Sequence, residues 1–426
     1  MGEQTENLPM ESVHITGLGF ITSIGHDRAT VARSLKELRS GVVSWDPLPG
    51  STLPVKVAGT LKGFDLSAAD PSGWTFPEGC AIDRQTLRSL PPHGACGVLA
   101  VDQALAAAGL VSDDLSDGRT GLACASGGSP QVMHQRLAAM EHTGWQRGHP
   151  LGVIASVAGT LNFNLAAHFG IRGACCGFVS ACASSAHALG YAADAIRLGR
   201  QDRMIVVGAE DLNVPMLLPF HAMGAVSLEA DPARASCPFD AGRSGFTGTG
   251  GAAVLILESG RTAARRGAPC LARLVGWGEA ADGFSVAAPH PQGDGLARAM
   301  SHALTDARIN PDQVGWVNAH ATSTPAGDRA EALALHRVFG HHRPVISSTK
   351  ALTGHGLSLA GAMEAAFSVL ALQEGFIPGQ ANLVTVLAEG AGLNIPRETR
   401  ETSPGFVASN ASGFGGANVC LILAHA

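Results

Sequence analysis

Short apolar, β-prone runs alternate with longer Ala-rich runs along the whole chain. The short runs predict strands over Val13–Leu18, Thr120–Ala125, Met204–Gly208, Ala252–Leu257, Gly315–Ala319, Val345–Ser348 and Val419–Leu423. The longer runs predict helices over Thr30–Glu37, Gly97–Ala108, Ala183–Leu198, Gly295–Ala307, Arg329–Val338 and Ala360–Glu374. Such alternation specifies an α/β architecture. The basic, helical stretch Gly260–Gly267 separates two halves, giving expected lobes of 12–259 and 260–426. Residues 1–11 are polar and expected to fray. No internal repeat is legible.

Composition narrows the class. Apolar residues make up 46% of the 426 positions and charged residues 15%, enough for a large buried core and too few charges for disorder. The net charge of −6 argues against a general binder of nucleic acid or anionic membrane. No apolar run is long enough to span a bilayer. The first residues lack the basic-then-apolar pattern of a signal peptide, and Glu6 breaks the myristoylation pattern. The nine cysteines show no metal-binding spacing, so no metal is expected and a reducing cytoplasm is the natural setting. Cys175 and Cys176 read as small buried residues.

Four segments carry candidate chemistry. Cys182 stands in Val179-Ser180-Ala181-Cys182-Ala183-Ser184-Ser185, where a β-prone run meets an Ala-rich helix. A cysteine there is either a buried structural residue or a nucleophile whose thiolate the helix N-terminus favours. His320, in Asn318-Ala319-His320-Ala321-Thr322-Ser323-Thr324, follows an apolar run and enters a polar turn. So does His355, in Lys350-Ala351-Leu352-Thr353-Gly354-His355-Gly356. Turns at strand ends are where sites are built, although a lone histidine is usually a packed or surface residue. The fourth segment, Asn410-Ala411-Ser412-Gly413-Phe414-Gly415-Gly416, is a glycine turn between two strand-like runs. Its backbone can approach a ligand closely.

Taken in this order, the segments resemble the β-ketoacyl-acyl-carrier-protein synthases, condensing enzymes of the thiolase-fold superfamily. The chain is most similar to the type I/II elongating enzymes of fatty acid synthesis and their polyketide relatives. The resemblance runs from Ile15-Thr16-Gly17-Leu18-Gly19 through Gly208-Ala209-Glu210 and Pro238-Phe239-Asp240 to the C-terminal glycine turn. It implies a five-layer αβαβα fold of two similar lobes. It also implies decarboxylative condensation of an acyl group on Cys182 with a malonyl thioester of acyl carrier protein, with His320 and His355 stabilising the enolate. The backbone N–H groups of Cys182 and Ser412 match an oxyanion hole, and Lys350 and Glu364 match a supporting charged pair. Thr322 and Thr324 match hydroxyls on the pantetheine arm, unless they bond only their own turn. Gly128, Ser412 and Phe414 match the acyl pocket, and Arg88 and Arg147 match carrier-docking positions, with Glu229 at a third. No cofactor is implied beyond the carrier's phosphopantetheine. A dimer is implied, with itself or a homologous chain, through residues 150–180.

Several residues depart from the family pattern. Ser412 stands where the family has a gating Phe, and Gly128 where type II enzymes have a bulky pocket residue. Ala321, Ser244 and Thr249 also differ. These changes favour a specialised synthase with an open pocket. A non-catalytic chain-length-factor-like subunit would lack the cysteine. A thiolase would need a second cysteine in its glycine motif, and Cys420 lies past that turn. A chalcone-type enzyme would carry Asn in place of His355.

Overall fold

A computed structural model describes residues 11–426. The expectation for the N-terminus falls almost wholly outside the described residues. Glu11 itself accepts a hydrogen bond from Arg261 N (3.1 Å). The strands are β1 (Val13–Ile21), β2 (Val42–Ser44), β3 (Val57–Gly59), β4 (Thr120–Ala125), β5 (Cys175–Phe178), β6 (Arg203–Glu210), β7 (Gly251–Ser259), β8 (Ala272–Ala281), β9 (Val314–Asn318), β10 (Val345–Ser347), β11 (Phe406–Gly413) and β12 (Ala417–Ala424). All but the β2–β3 ribbon join in the order β5-β4-β6-β7-β1-β8-β12-β11-β9-β10.

The order conceals a duplication. β1 and β8 are joined only through His14↔Arg273 and Ile15↔Ala272. On one side of that seam β4 runs parallel to β5 and β6, and β6–β7 and β7–β1 are antiparallel. On the other, β9 runs parallel to β10 and β11, and β11–β12 and β12–β8 are antiparallel. The two halves share one strand order and one set of directions.

Helices complete five layers. The helices Ser184–Arg197 and Ala360–Glu374 pack on each other and on strands of both halves. The helix Pro92–Ala108 covers β1, β7 and β6 from outside, and Asp294–Ala307 covers β8 and β12. Sequence explains the placement. Every residue from Ala360 to Leu372 is buried. A helix apolar on all sides belongs inside. The two central helices cross closely because Gly361 has no side chain; a Cβ there would stand 2.5 Å from Ala186 N.

All six predicted helices and all seven predicted strands are present within a few residues of their expected ends. The helices Pro130–Thr143, Leu161–Phe169 and Val214–Ala222 and strand β8 were not anticipated. In β8, exposed Arg273 and Glu279 and half-buried Val275 and Trp277 alternate with buried Ala272, Leu274, Gly276 and Gly278, so charges and glycines break up its apolar run. No helix among the described residues is long and apolar enough to cross a membrane.

Candidate active site

Equivalent connections in the two halves supply the key side chains. Cys182 sits between β5 and the helix Ser184–Arg197; His355 sits between β10 and the helix Ala360–Glu374. His320 follows β9, the neighbour of β10. A residue in the left-handed region lies within three residues of each: Ala181 (φ 51°) before Cys182, Leu357 (φ 49°) after His355 and Ser323 (φ 72°) after His320. None is glycine, and such backbone strain gathers at functional sites, costing about 1–3 kcal/mol per residue. At Cys182 the turn is held by Ser184 Oγ, which accepts from Ser180 N (2.9 Å) and donates to Ala181 O (2.5 Å).

The three side chains meet. His355 Nε2 lies 3.0 Å from Cys182 Sγ. The His320 and His355 rings are 5.3 Å apart, centre to centre, and nearly perpendicular. All three residues are buried, and Met216, Leu217, Phe246 and Leu357 belong to the apolar cluster around the thiol. Burial, helped by the Lys350 charge, holds His320 and His355 well below the usual imidazole range, and the His355 ring further opposes a proton on His320. Burial likewise pushes the Cys182 thiol up to about 12, against the pull of Lys350. The expectation of a resting thiolate is therefore corrected: removal from water outweighs the helix N-terminus.

Supporting groups surround this core. Lys350 Nζ and Glu364 Oε1 are 2.5 Å apart and fully buried. Burial raises the Glu364 carboxyl to about 7 even beside the lysine. Glu331, which sequence reading missed, accepts from His320 N (3.0 Å), Ala321 N (2.6 Å) and Asn410 Nδ2 (2.9 Å). It clamps the His320 turn to β11. Its signal was a carboxylate between Ala330 and Ala332, one turn after Asp328, on an otherwise small-residue helix. The C-terminal glycine turn closes over Cys182: a Cβ at Gly413 would stand 2.5 Å from Ser180 O and 3.2 Å from Cys182 N.

Other expected residues fare unevenly. Phe414 packs on Phe220 (5.6 Å), Phe220 on Phe246 (5.4 Å), and Phe246 meets the His355 ring edge-on (5.4 Å). Ser412 Oγ donates to Asn418 Oδ1 (2.8 Å), so its hydroxyl is engaged by a neighbouring strand. The expectation of spare room at Gly128 is corrected. It has φ +79°, and a Cβ would lie 2.5 Å from Ser156 O and 2.7 Å from Ala158 N; the backbone requires the glycine. Thr324 caps the helix Pro325–Phe339 by accepting from Gly327 N (3.3 Å), and Thr322 Oγ1 lies 3.1 Å from its hydroxyl. Thr324 thus has a structural task of its own.

Cys175 and Cys176 are exposed rather than buried, because β5 is an edge strand. All nine cysteines are free. Arg88 is exposed, and the Arg147 side chain lies outside the described residues. Burial and then the charges of Arg136 and Arg88 lower the His149 imidazole, with the Asp70 carboxylate acting against them. Glu229 pairs with Arg234 (3.9 Å). Among the described residues no cluster of three His, Cys, Asp or Glu side chains could hold a metal.

A thiol and two neutral imidazoles at the mouths of a duplicated five-layer α/β frame define a thiolase-fold condensing-enzyme site. The chain belongs to the β-ketoacyl synthase family: its N-terminal domain matches residues 10–263 and its C-terminal domain residues 271–384. It is 38% identical over 420 residues to a 3-oxoacyl-[acyl-carrier-protein] synthase 1 of Haemophilus influenzae, covering 97% of this chain and 98% of that protein. A synthase 1 of Escherichia coli is 37% identical, with 97% and 99% covered. Among solved structures, a beta-ketoacyl synthase from Burkholderia phymatum superposes with a TM-score of 0.88 at 33% identity, covering 98% of this chain and all of that one. The ishigamide ketosynthase/chain length factor superposes with a TM-score of 0.87 at 27% identity, with 98% and 100% covered.

Proposed function

We propose that the protein condenses an acyl group held on Cys182 with a malonyl thioester of acyl carrier protein, releasing CO2 and a β-ketoacyl thioester, in fatty acid or polyketide synthesis. The observation that carries this reading is the buried contact between Cys182 Sγ and His355 Nε2, with the His320 ring beside it.

The chemistry follows from the environment. A buried thiol that rests neutral needs its proton removed as it attacks, and His355 Nε2 stands where that proton can go. The carrier thiol leaves as the Cys182 thioester forms. Losing CO2 from the malonyl group then needs hydrogen bonds to the developing enolate oxygen rather than a strong base. Imidazoles held neutral by burial and by Lys350 supply N–H donors for that oxygen. The enolate carbon attacks the Cys182 carbonyl, the carbon–sulfur bond breaks and the thiol is restored. The backbone N–H groups of Cys182 and Ser412 face the second oxyanion in this reading, supported by the close approach of the Gly413 turn. Lys350 and Glu364 hold the His355 loop. Thr322 is assigned to the pantetheine arm, with Thr324 contributing through the turn it caps. The reading requires no metal or resident cofactor.

A complete Cys-His-His site favours a catalytic subunit over a chain-length-factor-like one. The relatives' names point to acyl carrier protein as partner. Arg88 and Arg136, both acting on His149, suit an acidic carrier, with Arg147 assigned to the same surface by resemblance. The exposed edge β5, with Val153, Phe163 and Val179 more than half exposed nearby, suits a dimer with itself or a homologous chain. Free cysteines, two of them exposed, suit the cytoplasm. The test is CO2 release from malonyl-carrier thioester. His320→Ala and His355→Ala should each slow it by about 10²–10³; release at the unmodified rate from either variant would remove that histidine from the mechanism.

A further inference from the structure

A chain of polar side chains reaches the nucleophile turn from the protein surface. Ser180 Oγ lies 2.8 Å from His187 Nδ1. His187 Nε2 lies 3.0 Å from Glu279 Oε2. The other Glu279 oxygen accepts from the Tyr191 hydroxyl (3.1 Å). The His187 side chain is 13% exposed and that of Glu279 43%, so the chain runs from water inward. The Tyr191 ring stacks on Phe178 and on the His187 ring, which packs the imidazole in place. Burial holds His187 below the usual imidazole range against the pull of Glu279, so the ring is neutral. A carboxylate only accepts. Nε2 therefore carries the ring proton, and bare Nδ1 accepts from the Ser180 hydroxyl.

The start of the helix Ser184–Arg197 does not need this bond. Ser184 Oγ already serves Ser180 N and Ala181 O, and Ser180 O accepts from Ala183 N (3.2 Å). What the Ser180 hydroxyl fixes is the residue before left-handed Ala181, two before Cys182. A strained residue persists only where its surroundings over-determine it. Glu279 ties the other end to the second half of the frame. It stands on β8 opposite Val419 of β12, and the preceding residue, Asn418, holds the Ser412 hydroxyl. The chain thus links the strands behind Ser412 N to the turn that carries Cys182 N. Those are the two donors assigned above to the acyl oxyanion, and such donors must keep their places to within about 0.5 Å.

We propose that His187 and Glu279 are positioning residues, which act through Ser180 to hold the Cys182 N–H where the acyl oxyanion develops. The inference rests on the condensing reading above. Neither residue touches the thiol; each acts on the backbone donor beside it.

Two reactions of Cys182 test it, both followed by peptide mass. Acylation by octanoyl-carrier thioester develops an oxyanion, whereas alkylation by iodoacetamide does not. Removing an oxyanion donor outright typically costs about 10²–10³ in rate, so a donor merely displaced predicts a fall of roughly tenfold. His187→Phe should lower the saturating acylation rate by that factor, with the half-saturating concentration and the alkylation rate unchanged. Ser180→Ala breaks the same bond from its other end and should match it, even where His187→Phe fails to fold. The double variant should be no slower than either, because both act through one bond. His187→Asn offers an oxygen near the place of Nδ1 and should recover most of the loss. Acylation at the unmodified rate in both single variants, an equal fall in alkylation, additive losses in the double variant, or no recovery in His187→Asn would each overturn the positioning role while the condensing reading stands. No octanoyl adduct on the unmodified Cys182, with alkylation intact, would overturn the condensing reading and this inference with it.

Discussion

Lys350 is the group whose removal should disturb the site most legibly. Its charge lowers the Cys182 thiol and the Glu364 and Glu331 carboxyls and helps hold His320 and His355 neutral. Lys350→Met keeps much of the stem and deletes the charge, leaving Glu364 buried without its partner. Breaking such a pair costs roughly 3–5 kcal/mol. In this protein the cost depends on pH. Glu364 sits at about 7 with the lysine present, and without it climbs higher. Its folded value then lies well above that of the unfolded chain, so the folded variant takes up a proton and sheds the buried charge at low pH. The stability deficit should be small near about pH 6 and grow as pH rises above about 8. Lys350→Met/Glu364→Gln removes both charges, so it should be more stable than the single variant at the higher pH despite carrying two changes. Thermal unfolding of the three proteins across this range reads the effect. The acid limb of the activity profile should also move to higher pH in Lys350→Met, because the imidazoles protonate more readily. Equal unfolding midpoints for the single and double variants at every pH, together with an unmoved acid limb, would refute the account of Lys350.

His355→Ala should also slow acyl loading of Cys182, because His355 touches the thiol, whereas His320→Ala should load normally; stopped-flow release of the carrier thiol separates the two. Gly128→Ile should lower the thermal midpoint without altering chain-length preference, since a left-handed non-glycine residue costs about 1–2 kcal/mol before the overlap with Ser156 O. Charge reversal at Arg88 and Arg136 should raise KM for acyl-carrier substrates and leave small thioester mimics unaffected; equal changes for both would dismiss the docking patch.

Much of this was legible from residue patterns because the decisive segments are short and local. The helix Ala360–Glu374 announces itself by an apolar run interrupted only by Glu364 and Ser368 before Gln373, and Cys182, His320 and His355 each stand where an apolar run meets a small-residue turn. The duplication was invisible because the halves share strand order and direction rather than residues. β8 was missed because its outward residues mix Arg273 and Glu279 with Val275 and Trp277 and its inward ones are mostly small. Gly128 and Cys182 were misjudged for a common reason. The space around a glycine and the dielectric around a thiol are set by distant segments, here Ser156–Ala158 and the Met216–Leu217 cluster, which no local pattern displays. Glu331 escaped notice because its three partners, His320 N, Ala321 N and Asn410, come from the turn after β9 and from within β11.

The most direct test of the central claim is intact-mass and peptide analysis of the protein after incubation with an acyl-carrier thioester, followed by addition of malonyl-carrier thioester. A single acyl adduct confined to Cys182, discharged as β-ketoacyl-carrier product on adding the malonyl substrate and absent in Cys182→Ala, is the predicted result. An adduct that persists in Cys182→Ala, or one on Cys182 that malonyl-carrier thioester fails to discharge, would contradict it.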